Sequence, residues 1–230
     1  MQASDHHRWR LVVGVAIGAL ALGAGVASGA PGDPKKQLVP GDQTYARSVL
    51  LRTSDLPAGA WQVRPTPFGQ PNPPCVVQHY SLAALTWTGL AGRTFTSGST
   101  LAEADVEVFS TTAQSRRAYA LLFELGLVRC LAGVLAAQIG KSAAGVSVRV
   151  VRITRFAPAL SEPAHGFRIA FAVRSSQGTG SVDVVGVGIL HGRALGLLSL
   201  VGIPSAWPQS SVLTVAATMR ARLGSHRLPS

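Results

Sequence analysis

The sequence predicts an α+β domain: a mainly antiparallel sheet with helices packed on its faces and a single disulfide. Three observations predict it. Apolar residues alternate with period two in several separate segments, the spacing of strands with one buried face. Other segments carry apolar stripes at helical spacing with capping residues at their starts. Only two cysteines, Cys75 and Cys130, occur in a chain that opens with an export-type segment.

The stretch 101–139 organises the rest. Ala104, Val106 and Val108 alternate with Glu103, Asp105 and Glu107, which reads as a strand with three carboxylates on its wet face. Thr111 then caps a helix over 112–125, with Gln114 three residues on to close a capping box. Gly126 is expected to stop it in the left-handed region. A second helix over 127–139 carries Leu127, Cys130, Leu131, Val134, Leu135 and Ile139 on one stripe. Neither helix can bury its stripe alone, so both should lie on the sheet.

Upstream, a short helix is expected over 44–51, with Tyr45, Val49 and Leu50 inward, and a turn over 53–59 fixed by Pro57 and Gly59. Trp61 and Val63 open a strand. The proline-rich stretch 68–74 reads as an irregular loop ending at Cys75, and 82–85 as one helical turn. A strand over 93–97 should pair with 103–109 across Gly98-Ser99. Downstream come strands over 146–154, 167–174, 181–190 and 193–202, the last two joined by a His191-Gly192 hairpin. Both of these last strands are apolar on both faces and belong at the centre of a covered sheet. A helix over 209–223 buries Val212, Val215, Ala216, Met219 and Leu223, with Gly224 after it.

The 230 residues carry 21 basic against 10 acidic side chains, a net charge of +11. Residues 11–30 are uncharged, follow Arg8 and Arg10, and end in small residues. That is an export signal, cleaved or retained as a membrane anchor. The expected organisation is signal or anchor 1–30, linker 31–43, extracytoplasmic domain 44–224 and tail 225–230. With the chain outside the cytoplasm, the cysteine pair reads as a disulfide between Cys75 and Cys130. It would be worth roughly 4 kcal/mol by loop-closure entropy. The basic surface favours anionic polymers or lipid headgroups. The basic residues lack aromatic interleaving, which argues against nucleic acid.

Catalytic patterns are missing. No Gly-x-Ser-x-Gly elbow occurs, and Gly178-Thr179-Gly180-Ser181 leads into a strand without a phosphate-loop ending. His79, His165, His191 and His226 stand apart from other ligand types, so no metal or cofactor is expected. Glu124 and Asp183 are the other acids inside predicted elements, and neither is marked as an acid or base.

The order of features resembles the exported sensor-like domains and lipoproteins of mycobacteria and related actinobacteria. That group includes the extracellular domain of a mycobacterial Ser/Thr kinase. The residues that carry it are Ser54-Asp55-Leu56-Pro57-Ala58-Gly59, the loop cysteine Cys75, Val108-Phe109-Ser110 before an Ala-rich helix, and Cys130. The chain departs from the kinase-linked form in having one cysteine pair and no kinase domain. It departs from the lipoproteins in having no lipid-attachment cysteine. The resemblance implies a non-enzymatic envelope domain that binds a ligand or partner, and it transfers no functional residue. The alternatives are an exported hydrolase without a visible motif and a basic protein held to anionic envelope polymers by charge alone.

One binding feature is expected from the helix lengths. The short 44–51 helix cannot cover a sheet face, so an apolar groove is expected near the proline-rich loop, walled by Trp61, Phe68 and Trp87. The alternative is that the loop itself packs down and fills that space.

Overall fold

The computed structural model describes residues 34–66, 73–141, 145–176 and 178–228. In chain order the elements are β1 (Lys35–Lys36), α1 (Pro40–Ser48), a 3-10 turn (Thr53–Asp55), β2 (Gln62–Pro65), α2 (Pro74–His79), β3 (Thr86–Ser97) and β4 (Thr100–Phe109). They continue as α3 (Thr112–Leu122), α4 (Leu125–Lys141), β5 (Ser147–Phe156), β6 (Ala164–Ser175), β7 (Gly178–His191), β8 (Ala194–Gly202) and α5 (Gln209–Ser225). One eight-stranded sheet runs β1-β3-β4-β8-β7-β6-β5, with β2 beside β1 on the outer edge of β3. Every pairing except the short parallel β1–β3 contact is antiparallel. The predicted α+β class is the observed one, with a disulfide joining Cys75 to Cys130 at a Cα separation of 6.3 Å.

Alternation divides the side chains cleanly between two faces. On β4, Ala102, Ala104, Val106 and Val108 enter the core beneath α1 and α5, together with Val185, Val187 and Ile189 of β7 and Leu198 and Leu200 of β8. Leu101 and Phe109 point the other way. There α4 covers Ile169, Phe171, Val182 and Val184, while α3 covers Trp87, Leu190 and Leu195. We call these the α1/α5 face and the α3/α4 face. The two late strands are central and buried on both sides, as their double-sided apolar pattern requires.

Several boundaries differ from expectation, each for a local reason. The ordered elements begin inside the expected linker, because Pro40 opens α1 with its fixed φ and the first-turn Asp42 is buried. Cys75 lies in the short helix α2 rather than at the end of an irregular loop. Gly126 lies within α4, and the break falls at Phe123–Glu124 instead. Its missing side chain makes room for the Tyr80 hydroxyl, which a Cβ would overlap. Thr111 does cap α3, accepting from the Gln114 amide at 3.2 Å. The Gln114 side chain is spent elsewhere, accepting from the Thr86 amide at 2.7 Å and tying α3 to β3. Gly224 is the penultimate residue of α5 rather than a stop after it.

The β7–β8 hairpin turns through Gly192-Arg193, one residue later than expected, with Gly192 at φ 56°. That shift frees Arg193 for the buried Asp42, to which it donates two bonds of 2.9 and 3.0 Å. It also donates to the Phe109 carbonyl at 2.8 Å. Burial pushes the Asp42 carboxyl up, but the Arg193 fork and the Thr88 hydroxyl outweigh it and hold it below the usual range. The fork pins α1 to the hairpin across the end of the sheet, and α1 approaches Gly89 so closely that a Cβ there would overlap the Asp42 carbonyl. Removing the guanidinium in Arg193→Ala leaves Asp42 charged and buried. We expect a loss of about 3–5 kcal/mol in urea unfolding, with Arg193→Lys recovering only part of it.

Candidate functional site

The most unusual chemistry lies on the α3/α4 face of β4. Glu103, Asp105 and Glu107, expected on a wet face, are 1%, 4% and 2% exposed. The strand alternates as predicted, but both of its faces are covered, so the period located the carboxylates without revealing their burial. Cross-strand neighbours are small or apolar: Thr94 and Ser199 flank Glu103, Gly92 and Leu197 flank Asp105, and Leu90 and Leu195 flank Glu107. The row therefore crosses the seam between the core under α4 and the core under α3.

Among the described residues, neither Glu103 oxygen nor Asp105 Oδ1 has a hydrogen-bond partner. Beside the row the Thr66 and Thr94 hydroxyls bond each other at 3.2 Å. Burial pushes the Glu103 carboxyl up to about 7, against the pull of Thr66 and Arg64. Burial also raises Glu107 to about 8, against the Trp87 indole N–H. Asp105 is pushed well above the usual carboxylate range by burial and then by its two acidic neighbours. The row is thus held largely protonated near neutrality, the cheapest state for carboxyls without cations. Among the described residues, no group of His, Cys, Asp and Glu is arranged to hold a metal ion.

The expected groove walls do not meet. Trp61 packs on the α1/α5 face, 6.1 Å from Trp207, and donates its indole N–H to the Pro57 carbonyl. Trp87 is fully buried on the opposite face. Phe68 lies outside the described residues. Cys75 and Cys130 do meet, and they fasten α2 to α4.

A second arrangement emerges only from strand register. Where β5, β6 and the start of β7 run past α5, the α1/α5 face carries no helix among the described residues. Arg149 and Arg152 of β5 stand opposite Ala172 and Ala170 of β6, and Arg174 and Arg168 lie at the two ends of that alanine pair. On the far side Ser181 and Asp183 of β7 meet the 204–208 segment, Ser181 donating to the Pro204 carbonyl at 2.7 Å. Arg149, Arg152 and Arg174 are exposed and the two alanines half-buried. Arg168 is held in place, donating to the Trp207 carbonyl at 2.8 Å with its Nε 3.6 Å from Asp183. The result is a shallow tray with a methyl floor and four guanidinium groups, against one carboxylate. Sequence alternation could have flagged Arg168 and Arg174 as sharing a face. Only pairing with β5 shows that Arg149 and Arg152 join them.

Comparison with known proteins gives little more. No protein-family model matches the chain, and no curated protein matches it. A solved structure, the extracellular domain of PknH from Mycobacterium tuberculosis, aligns with 83% of this chain and 99% of its own. The identity is 11% and the TM-score 0.41, a likeness that says nothing about what this chain binds.

The carboxyl row makes a pH prediction. Unfolded carboxyls release their protons near pH 4 to 4.5, whereas Glu103 and Glu107 keep theirs to about 7 and 8. Between those values the unfolded state binds fewer protons, so stability falls as pH rises. Asp42, Asp55 and Glu162, all lowered, add the opposite slope in more acid solution. Thermal melts should peak near pH 5 and decline toward pH 8, and Glu107→Gln should flatten the decline.

Proposed function

We propose that this chain is a non-enzymatic extracytoplasmic domain, exported or tethered by residues 11–30, that binds a ligand or partner on its open sheet face. The observation that carries this is the uncovered α1/α5 face over β5 and β6, where Arg149, Arg152 and Arg174 stand exposed around Ala170 and Ala172. The central strands β4, β7 and β8 are largely buried beneath helices, so this exposed, charge-bearing strand surface is where a partner can reach backbone-anchored side chains. The disulfide supports a location outside the cytoplasm, since such bonds persist in oxidising compartments. The carboxyls of the Glu103–Asp105–Glu107 row are at most 4% exposed, out of reach of a polymeric substrate.

The test has two arms. A reporter enzyme active only outside the cytoplasm, fused after residue 230, should be active. Thermal-shift titration with anionic polysaccharides, polyphosphate, acidic polypeptides and phospholipid vesicles should find a class that raises Tm for the native chain and fails with Ala172→Phe. A cytoplasmic reporter, or binding indifferent to Ala172→Phe, would overturn the reading.

A further inference from the structure

The open tray has a shape and a charge pattern that name its occupant more closely. We infer that it binds a linear phosphate-bearing polymer whose linking units are small and carry no bases. This rests on the open-face reading above and specifies its partner.

Size comes first. The tray spans β5 and β6, one inter-strand gap or roughly 5 Å, walled on the β7 side by 204–208, and runs from Arg168 to Arg174, roughly 20 Å along the strands. It is open along its length, since β5 is the outermost strand at this end of the sheet. Its alanine floor is recessed below arginine side chains on both flanking positions of β5 and at both ends on β6. A chain can lie on such a floor, whereas a plane of lipid headgroups would rest only on the rim.

Charge comes next. Asp42, Asp55 and Glu162 each hold another arginine elsewhere in the fold. Among the described residues of the tray Asp183 is the single acid, shared by Arg168 and, through space, Arg152. Arg149 and Arg174 have no acidic partner among the described residues. They rise from adjacent strands on a diagonal, so one bound group between them meets donors from two directions. A tetrahedral phosphate presents oxygens in several directions to such donors, whereas a carboxylate presents two in a single plane. The floor decides the rest: Ala170 and Ala172 offer no aromatic platform on which bases could stack.

Short-chain inorganic polyphosphate is the probe, titrated into the full-length chain at several salt concentrations. Arg149→Ala/Arg174→Ala should weaken binding by about tenfold or more and reduce the salt slope by roughly one per arginine removed. Arg116→Ala/Arg117→Ala, which removes the same charge from the exposed side of α3, should change affinity by less than about twofold. Ala172→Phe, neutral in charge and half-exposed, should fill the tray and abolish binding with its Tm unchanged. A single-stranded oligonucleotide of equal charge should bind no tighter than polyphosphate. Equal losses in both double variants, or binding to phosphatidylglycerol vesicles in place of polyphosphate, would overturn the inference. Polyglutamate binding that Ala172→Phe removes, without polyphosphate binding, would overturn the phosphate assignment and leave the open-face reading standing. Indifference of every probe to Ala172→Phe would sink both.

Discussion

The structure depends on a mismatch between a long sheet and short helices. At about 3.3 Å per residue, the 14 residues of β7 extend roughly 46 Å, and the 12 residues of β6 roughly 40 Å. On the α1/α5 face the covering helices have 9 and 17 residues, about 13 and 25 Å at 1.5 Å per residue. They cannot reach from β3 to β5 as well as along the strands. The chain resolves this by composition. Beneath α1 and α5 the strand residues are mostly Val, Leu, Ile and Ala; where α5 ends, arginine, alanine, serine, threonine and Asp183 take their place. Phe156 and Leu160 close the lower end of the same face over Gly166, which leaves the upper end to solvent.

The opposite face meets the same shortage differently. There α3 and α4 diverge by 59°, and the seam between their two cores falls on β4. The sequence places Glu103, Asp105 and Glu107 along that seam, beside Gly92, Thr94 and Ser199. Ionised, three carboxylates so close and so dry would repel one another and lack solvation. They are retained as neutral acids, which costs stability as pH rises and gives this core a dependence on acidity that an apolar row would lack. The ion pairs that hold the covering elements are of the ordinary kind: Arg193 with Asp42 for α1, and Arg222 with Asp55 for α5.

Much of this was legible in the residues. Double-sided apolar runs identified β7 and β8 as central strands, period two identified β4 and β6, and the cysteine count gave the disulfide. What stayed hidden has physical causes. Period two says that Glu103, Asp105 and Glu107 share a face but not whether a helix will lie on it. Trp61 and Trp87 read equally well as walls of one groove, yet Trp61, just before β2, packs on the α1/α5 core while Trp87 of β3 is buried on the other face. The helix shortage was foreseeable from lengths, and it does leave strand surface uncovered. The uncovered surface over β5 and β6 is basic and lies at the far edge of the sheet from Trp61, because charge, not apolarity, occupies the positions beyond α5. The arginine tray needs the β5–β6 register, which no local pattern encodes.

The central claim, that one face of the sheet is sealed at one end and bare at the other, can be tested with single thiols. With Cys75 and Cys130 bonded, the native chain offers no free cysteine. Ala172→Cys and Ala104→Cys place a thiol on the same face, the first beyond α5 and the second beneath the helices at 1% exposure. Under native conditions a maleimide should modify the first rapidly and the second only on unfolding. Protection of both positions alike would contradict the account.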